Sequence, residues 1–393
     1  MKICGIICEF NPLHNGHLKL IEIAKQNYDY VVCLMSGNFS QRGIPCCMNK
    51  YDRSKLAINA GADIVIELPF VYAVNNADEF SYGAIKILNC LGVTDIIFGS
   101  ECGDTSKLEK LANFKLNESK KFKNILKEKL ETGISFQSAY YETIKEVTND
   151  DTLIRLSASP NDILGSSYIK EIKKQNTKIA YHSIKRLDNG YNDTTPYKQY
   201  LSASSILELK NQNKDYSSFV PSSTFEFLTT SPIFNNNIYS SLLHYKINNM
   251  SSKEMKNIFG IVEGIENLIK KSFQNMEQIE TIKDTLSSKR YRLSRINKIL
   301  LYLLLDVKKR DYAKIKKSTP VTKVLAINKN KKNLISLFLK HENIKLILSN
   351  KDYNCLNPEQ TLSVLFDQKA SDLYSICTNT NLNTDKTVGT LYI

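Results

Sequence analysis

Apolar and polar positions change period repeatedly over the first hundred residues. Residues 2–8 form an apolar run of β character, and residues 16–26 place Leu18, Ile21, Ile23 and Ala24 at helical spacing. Residues 30–35 are apolar again. A helix is predicted over 49–60, ended by Gly61, and then a strand over 63–68 that Pro69 stops. Phe80, Ala84, Ile85, Leu88 and Leu91 repeat with the helical period through 78–91, and a fourth strand follows at 95–99. Strands alternating with helices of this length predict a parallel sheet flanked by helices. Its crossovers are right-handed, and its binding crevice lies at the carboxyl ends of the strands.

Between residues 105 and 146 the pattern is polar and helical with no strand, which reads as a helical insertion over about 105–150. Ser159-Pro160-Asn161-Asp162 supplies a turn and a helix cap before a helix to 173. Residues 178–182 suit a fifth strand, and a further helix begins at 202. From about 217 to 310 helices dominate, including the strongly apolar 296–305. The tail fits a short β-α-β unit over 321–327, 334–341 and 345–348. The expected architecture is α/β: a parallel-sheet domain over 1–215 and a mainly α-helical region over 216–393 that ends in a small α/β segment.

Composition narrows the class. Apolar residues make up 42% of the 393 and charged residues 24%, enough to bury a core in two or three domains. The longest uninterrupted apolar run, 299–305, is far short of the roughly 20 residues that span a bilayer. The opening apolar stretch meets Glu9 and Asn11 too early for a secretory signal. The nine cysteines include no CxxC pair and several sit in strand-like segments, so buried thiols in a reducing cytoplasm are expected. The formal charge is +13, and it is concentrated: 16 Lys and Arg fall within 289–340 against Asp306 and Asp311 alone. A basic face of this kind suits a polyanion, nucleic acid foremost, although a solvated lysine-rich surface has the same composition.

The sharpest feature follows the first strand: Glu9-Phe10-Asn11-Pro12-Leu13-His14-Asn15-Gly16-His17. His14, Gly16 and His17 form an HxGH pattern. With five histidines and 15 glycines in the chain, chance produces it on the order of 0.002 times. Two imidazoles three residues apart at a helix start project to one side, and the helix N-terminus suits phosphate. Gly16 would leave room for a phosphate near the backbone. Imidazole donors there stabilise charge that grows as a phosphate is attacked. This is machinery for displacing diphosphate from the α-phosphate of ATP.

HxGH after the first strand resembles the nucleotidyltransferase superfamily, shared with class I aminoacyl-tRNA synthetases. A longer resemblance is more specific. GIICEFNPLHNGHL, SGNFSQRGIP (36–45), ADIVIELPFVYA (62–73), FGSECGD (98–104), SPNDILG (159–165) and LSASSI (201–206) fall in the order seen in the tRNA(Met) cytidine acetate ligase family. The basic KRYRLSRINKILLYLLL (289–305) is similar to its C-terminal region. The resemblance implies a Rossmann-like nucleotidyltransferase domain in a cytoplasmic ligase. Acetate attacks ATP to give acetyl-adenylate, and the exocyclic amine of the wobble cytidine of elongator tRNA(Met) then takes the acetyl group. It further implies His14 and His17 as the catalytic pair. The implied ATP site comprises Ile7, Cys8, Glu9, Phe10, Asn11, Pro12, Leu13, His14, Asn15, Gly16, His17, Leu18, Lys19 and Leu20, with Gly99, Asn161, Arg186 and Leu187. Mg2+ is expected from ATP chemistry. Lys289, Arg290, Arg292, Arg295 and Lys298 are the candidate tRNA contacts, with Tyr291 able to stack on a base.

The residues themselves leave alternatives open. Gly99 can lie close to a nucleotide or simply end a strand, Asn161 can bind a nucleotide or cap a helix, and Arg186 can clamp phosphate or stay solvated. Superfamily members carry an Arg after the Ser-rich motif, where this chain has Leu207; Lys210, Arg186 or Lys185 is placed to compensate. A small-molecule adenylyltransferase would explain HxGH but not the basic segment. A non-catalytic RNA-binding protein with a degenerate nucleotide site would explain Leu207 but not the two histidines.

Overall fold

The computed structural model describes residues 1–186, 200–262 and 264–393, so Leu187 lies outside the described residues. Four strands open the chain: β1 (Ile3–Cys8), β2 (Tyr30–Ser36), β3 (Ile64–Leu68) and β4 (Asp95–Ser100). Between them run α1 (Asn15–Asn27), α2 (Lys50–Asn59), the single turn α3 (Phe70–Ala73) and α4 (Ala77–Cys90). Helices α5 (Thr105–Leu116), α6 (Lys120–Glu131), α7 (Phe136–Val147) and α8 (Asp151–Leu156) form the insertion. The long α9 (Pro160–Lys174) then leads into β5 (Ala180–Lys185). β2 and β3 are Val/Ile/Leu-rich runs buried on both faces, as a covered parallel sheet requires, while β5 at the edge is partly exposed. Asn49 and Asn76 cap α2 and α4 by accepting from the amides of Asp52 and Glu79.

Strand order is β5-β4-β1-β2-β3, all parallel. The order reverses at β1: later strands add on the β2 side, then on the β4 side. The crevice therefore opens at the carboxyl ends of β1 and β4, directly above the HxGH turn.

The second half is mainly helical: α10 (Ala203–Asn211), α11 (Ser222–Thr230), α12 (Asn236–Asn248), α13 (Ser252–Met255), α14 (Ile265–Ser272), α15 (Ile279–Leu286), α16 (Leu293–Leu305) and α17 (Lys309–Lys317). The tail then returns to the sheet with β6 (Val321–Ile327), α18 (Asn333–Phe338), β7 (Lys345–Ile347), α19 (Pro358–Thr378), α20 (Thr384–Thr387) and β8 (Leu391–Tyr392). β6 pairs antiparallel with β3, and β7 and β8 pair parallel with β6. Strands from beyond residue 215 thus join the sheet of the first half, so the two expected regions share it. The 21-residue α19 was not anticipated; its polar and apolar positions give no clean stripe because it is buried from several sides.

Candidate active site

The turn after β1 is held from three directions. The Glu9 carboxylate accepts from the Gln41 amide at 2.6 Å, and the Glu9 carbonyl accepts from Arg53 at 2.6 Å. Asn11 Oδ1 accepts from the Cys47 amide at 2.8 Å, and Asn15 Nδ2 donates to the Ser218 carbonyl at 2.9 Å. Phe10 has φ 47°, a conformation few aromatic residues adopt. Its buried ring packs edge-on to His17 with centroids 5.1 Å apart. The Asn11–Pro12 peptide is cis.

The two histidines cap α1. His14 is the N-cap residue, and its Nδ1 accepts from the Gly16 amide at 3.1 Å. His17, three positions on, returns the bond: its Nδ1 accepts from the His14 amide at 3.4 Å. This is a capping box written in histidine. The rings stack at 3.8 Å with 28° between planes. Because each Nδ1 is spent as an acceptor, a neutral ring carries its proton on Nε2. His17 is kept neutral: burial first, then His14 and Arg186, hold its pKa well below the usual imidazole value, against the Pro12 carbonyl.

Gly16 has a different use from the one expected. A Cβ there would lie 3.0 Å from His14 Cε1, so the missing side chain makes room for the His14 ring, and the Gly16 amide already bonds that ring. The turn presents a stacked imidazole pair rather than an open row of amides.

Opposite the histidines, Gly99 ends β4 and Arg186 follows β5. A Cβ on Gly99 would meet Arg186 Cγ at 3.2 Å, and the Arg186 amide bonds the Ser100 carbonyl at 2.9 Å. Asn161 joins this wall without capping α9 itself. The Glu101 carboxylate takes that role, accepting from the Asn161 amide at 3.1 Å, the Asn161 side chain at 2.8 Å and the Asp162 amide at 2.9 Å. Ile7 and Cys8 lie in β1 and Leu18, Lys19 and Leu20 in α1. Burial raises the Cys8 thiol pKa well above its ordinary value, so it has no nucleophilic character.

Sequence reasoning missed Glu101 and Arg53. Arg53 is fully buried in α2 and donates to the carbonyls of Met48 (3.0 Å), Glu9 (2.6 Å), Ser36 (3.1 Å) and Gly37. It gathers the ends of β1 and β2 and the 36–48 loop under one guanidinium. The available signal was its place: Arg53 shares a helix face with Leu56 and Ala57. Glu67 pairs with buried Lys50 through both oxygens, at 2.8 and 2.7 Å.

The basic turn divides. Lys289 and Arg290 are exposed. Arg292 reaches the insertion, donating to Gln137 and to Ser138 at 2.7 Å. Arg295 lies 4.4 Å over the ring of Tyr291, which is buried and bonds the Val262 carbonyl; this tyrosine packs instead of presenting a face to a base. Lys298 bonds the Asn75 carbonyl at 3.2 Å, and burial followed by Arg295 lowers its pKa to about 8. A Cβ on Gly43 would strike the Lys298 amide at 2.8 Å, so the middle of α16 packs against the loop that carries Gln41. Among the described residues no helix is long and apolar enough to cross a membrane.

A parallel sheet that reverses beneath a paired-histidine cap defines a nucleotidyltransferase of the HIGH class, and the family model HIGH Nucleotidyl Transferase matches residues 1–388. Within that class the chain belongs to the tRNA(Met) cytidine acetate ligase family. It is 33% identical to the tRNA(Met) cytidine acetate ligase of Acetivibrio thermocellus, over 96% of this chain and 95% of that protein. To the Clostridium novyi ligase it is 34% identical, over 95% and 100%. The crystal structure of Thermotoga maritima TmcAL bound with alpha-thio ATP superposes with a TM-score of 0.89 at 26% identity, covering 100% of both chains.

Proposed function

We propose that this protein activates acetate with ATP and transfers the acetyl group to the wobble cytidine of elongator tRNA(Met). The observation that carries the reading is the stacked His14–His17 pair at the carboxyl end of β1, with His17 held neutral by burial and by the nearby Arg186. An acetate oxygen attacks the α-phosphorus, the bond to diphosphate breaks, and acetyl-adenylate remains. The cytidine N4 then attacks the acetyl carbonyl, the bond to AMP breaks, and N4 loses a proton. The neutral His17 imidazole donates from Nε2 to phosphate oxygens as charge builds there, with the His14 ring stacked beside it. Arg186, always charged, is assigned to the same phosphates, and Gly99 and Asn161 to the nucleoside.

Mg2+ is expected to enter on the triphosphate. The described residues contain no group of three His, Cys, Asp or Glu side chains that would hold a resident ion, so no protein ligands are assigned to it. We assign Lys289, Arg290, Arg292, Arg295 and Lys298 to the tRNA backbone. Arg292→Ala with Arg295→Ala is expected to weaken tRNA binding and make its salt dependence shallower.

Exchange of labelled diphosphate into ATP, run with a panel of small carboxylates, tests the first step. Acetate should support exchange, and His17→Ala should abolish it while the melting transition survives. Exchange independent of any carboxylate would point to a small-molecule adenylyltransferase; no exchange at all would point to an RNA-binding protein without this chemistry.

A further inference from the structure

A groove of about 950 Å³ lies beside the HxGH turn. Pro45, Cys46 and Cys47, which follow β2, form one wall; the end of α10 with the 213–216 turn, α11 and the 232–236 segment form the rest. It is tied to the turn at two points. The Asn11 side chain holds Cys47, and the Asn15 side chain holds Ser218, two residues after the lining residue Tyr216. The groove therefore adjoins the turn that carries the imidazole pair, and it includes Leu207 and Lys210 of α10.

The chemistry of the groove is that of single-stranded RNA recognition. Lys210 and Lys214 supply positive charge; the exposed Asp215 also lines the groove and accepts from the Ser217 amide at 2.9 Å, leaving a net positive lining. Phe225 and Phe234 supply half-buried aromatic surface, with Tyr216 packed behind Phe225. Ile233 stands at the rim 84% exposed, an apolar side chain with no cover in the folded chain. Lysines that meet phosphates and rings that meet unstacked bases are what loop RNA requires and duplex RNA cannot use. The volume is at the upper end of what one small ligand fills, which leaves room for more than a single nucleoside.

We propose that this groove binds the unpaired nucleotides flanking the cytidine that is acetylated, so that the base is delivered to the adenylate beside the histidine turn. The proposal rests on the acetate ligase reading above. Binding is read by fluorescence anisotropy with two probes, an anticodon stem–loop RNA and a blunt RNA duplex of equal length, across a salt series. The wild-type protein should prefer the stem–loop. Lys214→Glu should weaken stem–loop binding about tenfold and reduce the salt slope by about 0.7, with little change for the duplex. Lys214→Gln should give a smaller loss in the same direction, which separates the charge effect from any folding defect. Equal affinity for loop and duplex, or stem–loop affinity unchanged in both variants, overturns the groove, and the second result is also what a protein or small-molecule occupant would give. Acetate-dependent exchange by the wild-type protein is measured alongside. Its absence defeats the underlying enzyme reading, whereas exchange with unaltered RNA affinity in the variants defeats the groove alone.

Discussion

His17 is buried against a second imidazole and a guanidinium, and its charge state follows from those neighbours. A pKa held below the ordinary imidazole range means that exchange should stay level as pH falls through about 6.5, where a free histidine would begin to protonate. The sign for stability runs the same way. The unfolded chain takes up the proton first, so what the neutral ring contributes is present above about 6.5 and declines as pH falls further. A pH profile of exchange, set against melting temperatures in the same buffers, checks both. Gly16→Ala separates function from stability at one atom. Alanine favours a helix by up to about 1 kcal/mol over glycine, yet its Cβ would press on His14 at 3.0 Å. Exchange should fall at least tenfold while the melting temperature holds or rises. His14 and His17 were legible because their spacing is local. Glu101 was not: its partners are two amides and a side chain some sixty residues away, and nothing in the neighbouring sequence marks it.

Single elements acquire their positions through groups that look unremarkable in the chain. α9 starts with Ser159, whose side chain makes no capping bond, so a carboxylate from the end of β4 serves instead. Glu101→Ala should cost about 1 kcal/mol of stability and raise the KM for ATP, because Asn161 and the β4 terminus lose their common anchor. Chemical denaturation and steady-state kinetics read the two effects separately. α2 behaves similarly through Arg53. Arg53→Met strands several buried carbonyls and should destabilise the protein by about 3 kcal/mol or more, with loss of exchange as the 36–48 loop comes away from Glu9. The alternating strands and longer helices of the first hundred residues were readable to within about two residues, since burial on one face or both writes itself into the pattern, whereas β5 ends three residues beyond the expected 178–182 and the single turn α3 was missed. The pairing of β3 with β6 was not, because an antiparallel neighbour some 250 residues distant leaves no trace in either strand.

Across the whole molecule, a buried ionic knot joins the nucleotide half to the tail. Lys50 of α2 contacts Glu67 of β3 at 2.7 Å and Asp385 of α20 at 2.6 Å. Tyr51 bonds Asp385 at 2.9 Å, and Lys323 of β6 bonds Tyr51 at 2.9 Å. Asp367 of α19 accepts from the Phe70 amide at 2.6 Å. Burial, then the nearby Glu67, raises the Asp367 pKa far above the usual carboxylate range. A raised folded pKa makes this group's contribution greatest in acid and lost as pH rises. Asp367→Asn keeps the acceptor and removes the charge, so it should raise the melting temperature, more at pH 8 than at pH 6. A chain ending at residue 356 tests the knot as a whole. It retains every residue assigned to ATP but loses α19, Asp385 and β8, and it should be protease-sensitive and inactive in exchange.

The return of the tail to the sheet has a consequence for synthesis. β8, at residues 391–392, is added to β6, which is itself added to β3, so the domain whose motif is translated first is finished last. A nascent chain on the ribosome would carry its histidine turn for most of translation without the strands that complete it. Acetate activation is expected to be withheld from copies that have not yet added β6 and β8 to the sheet.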